Sequence, residues 1–465
     1  MIKILTLTQS KVWLGRRFIF ALSTLLALLL GSSREAFAMR DIDSLSGADQ
    51  RFTVENSQEV FSENFHQKEL LAGTAIVDEA TKQPLGSWKF YRQIKAGVLH
   101  DDNYSATYRD PKPETIYTYT PTVGMSHRSE YTYMKMFYNL SYSDYVQNQK
   151  LSRFNQDQYT SLRFKFNRLT VSFENTFKPD SAFVQGEKTE LHTTDGKHVI
   201  TYFNTAQLKT EYKFSPKTDL SFLYSNDVFY FPKTNITATD NSSQSTMTHK
   251  FIPKIAYRLT PKTSVFVDYK YTVVNYFKGG DFGSHENAAD IGVEGRIFSG
   301  LGVNLSMGYN YLDYLDVHSP ALKGLTFQFG VSKKILPKVQ ATLSATREVG
   351  QDLGSSGFES SQFDKDFYGL NLTWKASSHI TVDAEGSVGY TSHDGMITLP
   401  DLDNPRLTFT RPREDQIYKW GIKLLWNPKP FFDLLLAYEY VNQNSSFKDF
   451  EYYAHRLAGY LSYKF

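Results

Sequence analysis

By type and spacing, the residues best suited to chemistry are Asp383 and Glu385, two carboxylates separated by one residue. Positions i and i+2 of an extended strand share a face, so the pair could supply the acid and base of glycosidic cleavage. The pattern around them points to charge on a wet sheet face instead. Ile380, Val382, Ala384, Val388 and Tyr390 alternate there with Thr381, Asp383, Glu385 and Ser387. The His residues stand singly, at 66, 100, 127, 192, 198, 249, 285, 318, 379, 393 and 455. None forms an H-x-x-x-H or H-E-x-x-H spacing, and there is no G-x-S-x-G or Walker-type loop. The sequence therefore predicts no catalytic residue, no metal site and no cofactor, and argues against an enzyme.

What must position Asp383 and Glu385 is a long run of strands. From Trp88 to the last residue, apolar and polar residues alternate with period 2. The polar face carries full charges at mid-strand. The basic ones are Arg163, Lys165, Lys209, Lys254, Lys270 and Lys423. The acidic ones are Glu211, Asp268, Glu294, Asp383, Glu385 and Glu439. A soluble sandwich also alternates, so alternation alone does not choose a fold.

The connections do choose. Short turns fall at Arg128-Ser129, Asn167-Arg168, Ser215–Thr218, Thr260–Thr263, Ser299-Gly300, Pro337-Lys338, Ser377-Ser378 and Asn427–Pro430. Longer polar loops separate them, near 101–114, 146–156, 180–197, 231–243, 277–284, 314–323, 350–363, 391–414 and 443–449. Eight short turns and nine long loops make seventeen connections and so eighteen strands. The count is even and puts both ends on the short-turn side, the habit of transmembrane β-barrels. The expected fold is all-β, a transmembrane antiparallel up-and-down barrel over 88–465. The loop 391–414, the longest, is expected to be solvated, with a constricting or sugar-stacking role as the alternative.

In hydrocarbon an unpaired backbone N–H or C=O costs several kcal/mol, so a membrane sheet must close on itself. Closure turns the apolar face to lipid and the charged face inward. A Lys such as Lys270 pointing into lipid would cost roughly 2–4 kcal/mol at the midplane. Tyr117 and Tyr119, Tyr131 and Tyr133, Tyr138 and Tyr142, Phe229 and Tyr230, Tyr269 and Tyr271, Tyr309 and Tyr311, and Tyr438 and Tyr440 are expected to form outward interfacial girdles. A barrel of sixteen to eighteen strands leaves a water-filled passage unless something plugs it. The twelve charged residues named above are then its lining. Their near balance argues against strong ion selectivity and suits a large hydroxylated solute as well as a small one.

The rest of the chain fits an exported protein. Composition is aromatic-rich, with 31 Tyr and 35 Phe against 5 Trp and 8 Met, and contains no Cys. Residues 1–38 read as a secretory signal: Lys3, Lys11, Arg16 and Arg17, an apolar stretch from Phe18 to Leu30, and an Ala36-Phe37-Ala38 cleavage site. That stretch is too short to span a bilayer core. Removing the segment takes five of the 51 basic and one of the 49 acidic residues, leaving a net charge of −2. No basic tail remains to suggest nucleic acid. Residues 39–87 are polar and irregular, an extension expected either in the periplasm or inside the barrel.

Short motifs add a resemblance. Gly97-Val98-Leu99-His100-Asp101-Asp102-Asn103 opens the barrel, followed by Tyr119-Thr120-Pro121-Thr122-Val123. Tyr212-Lys213-Phe214-Ser215-Pro216-Lys217-Thr218 and Tyr257-Arg258-Leu259-Thr260-Pro261-Lys262-Thr263 come later. Together these resemble the second β-barrel porin family of Gram-negative outer membranes. Leu99-His100 departs from the family's usual aromatic before the two Asp. The resemblance implies an outer-membrane location and a barrel often found with exopolysaccharide synthesis and export. That would make the chain a polymer's exit conduit, with a periplasmic polysaccharide-export protein as a partner; a general or small-solute porin is the alternative. The terminal Tyr460-Leu461-Ser462-Tyr463-Lys464-Phe465 resembles the signal read by the barrel-assembly machinery, with Tyr463 and Phe465 its aromatic positions. Asp101-Asp102-Asn103 reads as a turn at the outer end of the first strand.

Overall fold

The computed structural model describes residues 85–104, 111–149, 152–181, 200–230, 245–277, 283–298, 301–315, 321–351, 362–400 and 408–465. The signal segment lies outside these residues, as does the extension apart from residues 85–87. The strands come in hairpins. They are β1 (Trp88–Asp101), β2 (Glu114–Arg128), β3 (Thr132–Tyr145), β4 (Arg153–Lys165), β5 (Leu169–Ser181) and β6 (Ile200–Lys213). Then follow β7 (Thr218–Tyr230), β8 (Thr246–Thr260), β9 (Thr263–Tyr276), β10 (Ser284–Phe298), β11 (Leu301–Tyr314) and β12 (Leu322–Leu336). The last six are β13 (Val339–Gln351), β14 (Gln362–Lys375), β15 (Ile380–Pro400), β16 (Thr408–Lys429), β17 (Phe432–Ser445) and β18 (Tyr452–Lys464).

Each strand pairs antiparallel with its chain neighbours, and β1 pairs with β18 from Gln93↔Lys464 to Asp101↔Arg456. The sheet is therefore an 18-stranded closed antiparallel barrel. Within the described residues its short turns fall where turn chemistry put them, while the expected turn at Ser299-Gly300 lies outside those residues. Ser129 Oγ caps the Thr132 N–H at 2.9 Å, and Ser215 Oγ caps the Thr218 N–H at 3.0 Å.

One expected loop is mostly strand. β15 and β16 reach Pro400 and Thr408 and pair as far as Pro400↔Thr408, so 391–400 and 408–414 are strand; residues 401–407 lie outside the described residues. Alternation is weak there because a strand that rises beyond lipid is under no pressure to keep an apolar face.

Register assigns the two faces. Arg456 lies opposite Glu439, Glu439 opposite Gly421, Gly421 opposite Glu385, Glu385 opposite Asn371, and Asn371 opposite Thr342. One residue away on each strand runs the other belt: Tyr440, Trp420, Gly386, Leu370, Leu343 and Val331. The apolar belt is the exposed one, with Ile291 64%, Met307 60% and Leu457 60% accessible. The charged belt faces inward.

Three glycines of the inward face are tightly packed. A Cβ at Gly97 would overlap the Tyr460 ring, one at Gly124 the Phe137 ring, and one at Gly292 the Phe266 ring. In each case a ring fills the space beside the glycine of the adjacent strand, which pins register. A lysine covers each ring: Lys95 Nζ is 4.1 Å from the Tyr460 centroid, Lys135 4.8 Å from that of Phe137, and Lys254 3.7 Å from that of Phe266. All three ammonium–ring distances are within cation–π range.

Candidate functional site: the inner face

All twelve charged residues singled out in the sequence sit on the polar face. Arg163 and Lys165 stand opposite Ser172 and Thr170, and those in turn opposite Lys209 and Glu211. Lys254 stands opposite Asp268, and Asp383 opposite Lys423. The face is a network more than a set of isolated charges. Lys254 reaches across β9 to Glu294 at 2.8 Å, a bond only converging side chains could make. Lys209 meets Glu211 at 3.1 Å, Lys270 meets Glu286 at 2.7 Å, and Lys423 meets Glu385 at 3.7 Å. Asp383 accepts from Thr373 Oγ1 at 2.6 Å. Asp383 and Glu385 thus share a face, each engaged with its own neighbour.

The Asp101-Asp102-Asn103 stretch does more than turn. The Asn103 N–H donates to Asp101 Oδ1 at 2.9 Å, a local Asx turn. Asn103 Nδ2 also donates to the Tyr453 carbonyl at 2.7 Å. The Asp102 N–H donates to the His455 carbonyl at 3.1 Å, while the His455 N–H donates to Asp102 Oδ1 at 2.7 Å. Arg456 donates from Nε to Asp101 Oδ2 at 2.8 Å and from Nη1 to Glu439 Oε2 at 2.9 Å. Asp101 is 1% exposed. The motif therefore fastens β1 to β18, where the barrel closes.

Beside this latch, fully buried Glu114 takes four hydrogen bonds, from the N–H groups of Thr115, Gln147 and Asn148 and from Asn148 Nδ2. It organises the start of the β3–β4 loop. Burial, with Tyr145 beside it, pushes the Tyr104 hydroxyl well above its ordinary pKa. On the far side of β18, the buried Arg413 pairs with Asp415 and lies 3.8 Å from the Phe450 ring. Arg413, expected in a solvated loop, is part of the wall.

The wall also bends inward. β12 pairs with β11 as far as Leu322 but with β13 only as far as Phe327↔Arg347. Beyond Arg347, β13 crosses the inner face of β12. Val349 packs with Leu312, Tyr314 and Leu322, and its carbonyl accepts from Asn310 Nδ2 at 2.9 Å. Gly324 makes room, since a Cβ there would meet Val349 Cγ2. No residue pattern announces this departure; it appears only in register.

Two girdle residues were misplaced by type. Tyr133 lies opposite Arg163, and Phe229 opposite Thr246, both on the inner face. Among the described residues, no group of His, Asp and Glu has the geometry to hold a metal ion.

No protein-family model matches this sequence, and no curated protein does. Similar solved structures are barrels of the outer membrane. Outer membrane protein OpdK of Pseudomonas aeruginosa is 9% identical, with 81% of this chain and 99% of that chain covered and a TM-score of 0.46. OccAB3 of Acinetobacter baumannii is 8% identical, covers 82% and 100%, and has a TM-score of 0.45. The FrpB iron transporter of Neisseria meningitidis is 10% identical, covers 83% and 84%, and has a TM-score of 0.45. At such low likeness the fold stands on the chain's own strand register, and the family resemblance on its motifs.

Proposed function

We propose that the chain is an outer-membrane channel through which small hydrophilic solutes diffuse. One observation carries this: a closed barrel of 18 strands turns its charged face inward and its apolar face outward. Barrels of that size enclose water, and the short-turn rim is then periplasmic. The twelve charged residues are then its lining.

A second reading, the exit of a hydroxylated polymer, comes from the motif resemblance. It is favoured by the hydroxyl and amide groups between the ion pairs, such as Thr122 opposite Asn139 and Thr342 opposite Asn371. The comparisons with solved structures do not carry it, and a periplasmic export partner belongs to it alone. Tyr463 and Phe465 are the proposed contact with the assembly machinery. Both point outward at the rim, their rings 5.9 Å apart.

Planar-bilayer recording of the purified barrel tests the first reading. Stepwise ohmic conductance is expected. A barrel that inserts, as judged by heat-modifiable gel mobility, yet gives no steps would overturn it. Dextran oligosaccharides that interrupt the current in a length-dependent way would favour the second reading.

A further inference from the structure

Every second strand runs down to the short-turn rim. All of these except β16 deliver an inward Lys or Arg at the last residue or two positions before it. Arg128, Lys165, Lys213, Arg296, Lys334 and Lys375 are six of them, held on the polar face by register with Tyr133, Thr170, Asp219, Gly302, Gln340 and Thr381. Arg258 and Lys464 complete the set, bonded to Asp219 at 2.6 Å and Asp433 at 2.8 Å. Of the other carboxylates near this level, Glu211 bonds Lys209 and Glu294 bonds Lys254, and Glu130 lies exposed in the turn after Arg128. Summed over the inner face, charge is nearly balanced; along the barrel axis it is not.

Adjacent strands lie about 4.8 Å apart, so cations on alternate strands recur about every 10 Å around the mouth. That is close to the screening length of roughly 8 Å at physiological salt. Neighbouring potentials therefore merge into a positive collar that is interrupted at β16 and weakened where Arg258 and Lys464 are paired, and low-dielectric walls focus it. One arc also has a sugar-like surface. Tyr133 stands directly between Arg128 and Arg163 in register, and Ser172 accepts from Arg163 Nε at 3.3 Å. A ring, hydroxyls and two guanidinium groups suit a carboxylated pyranose, with its ring against Tyr133 and its carboxylate on arginine.

We infer that this collar is a binding site for an acidic glycan, a uronate-type oligosaccharide entering from the periplasmic side. The inference rests on the channel reading for its direction but not for the binding itself. The probe is a galacturonate hexamer, with a neutral maltohexaose as control, titrated against the purified full-length chain in detergent. The galacturonate should bind and the maltohexaose should bind at least tenfold more weakly. A threefold rise in salt should weaken the galacturonate severalfold. Combining K165E, K213E and K375E should abolish the preference and move the reversal potential in a salt gradient toward cations. Equal binding of the acidic and neutral hexamers overturns the proposal, as does an unchanged preference in a variant that keeps heat-modifiable mobility. If the variant does not assemble, the salt dependence of the wild-type protein decides alone. Inorganic polyphosphate that competes as well as galacturonate would overturn the glycan assignment. Absence of conductance with acid-selective binding intact would sink the channel reading and leave the collar standing.

Discussion

The two ends of the barrel use charge in opposite ways. At the long-loop end Asp101, Glu114, Asp415 and Arg456 are buried and meet backbone N–H groups or partners of opposite charge. At the short-turn end Arg163 and Lys165 are exposed. A buried carboxylate saturated with donors is part of the architecture, and removing its partner leaves an unpaired charge in a dry site. An exposed cation on an inner wall can exchange water for a passing solute. Counting charges along the sequence cannot separate these roles, because the difference lies in burial.

Breaking the latch should give the largest effect. Arg456→Ala leaves Asp101 and Glu439 facing each other without their shared cation, a loss of about 3–5 kcal/mol for a buried pair. The heat-modifiable transition should fall steeply, whereas Lys165→Ala should leave it within measurement error. Equal effects of the two would erase the contrast between the ends.

Next in size is the glycine–ring packing. Gly124→Val should reduce assembled barrel, because its side chain overlaps Phe137, while Gly386→Val should be tolerated, since nothing lies within 4 Å of a Cβ there. The expected difference is about 1–3 kcal/mol, typical of overpacking, and Phe137→Ala should partly restore Gly124→Val.

Glu114→Gln is a smaller perturbation. It weakens the charge-assisted bonds that hold the start of the β3–β4 loop, at about 1 kcal/mol. Faster proteolysis of that loop, with the barrel's melting little changed, is the expected readout. Deleting Phe465 should slow assembly more than it lowers the stability of barrel already formed, and pulse-chase folding in cells would separate the two.

Much of this was legible in the sequence. The turns were readable because Pro, Ser, Asn and Gly at tight corners act locally, as Ser129 and Ser215 do. Strand number followed from them, and the charged face followed from period 2. Three things were hidden. The Asp101–Arg456 latch joins residues 355 positions apart, so no local pattern reports it. Tyr133 and Phe229 were assigned by type to a lipid-facing girdle, yet a tyrosine reads the same on either face until register places it. The ends of β15 and β16 carry no strand signal in sequence, since a strand outside lipid needs no apolar face. The basic collar was visible residue by residue, but only the closed topology brings its members to one rim.

The central claim is that the charged face is wet and the apolar face is not. The chain contains no cysteine, so single thiols can be placed on neighbouring positions of β6. The barrel carrying Lys209→Cys and the one carrying Leu208→Cys should each be reconstituted in liposomes and treated with a charged, water-soluble maleimide. The account predicts rapid labelling of the first and slow or absent labelling of the second. The opposite order, or equal rates, would contradict it.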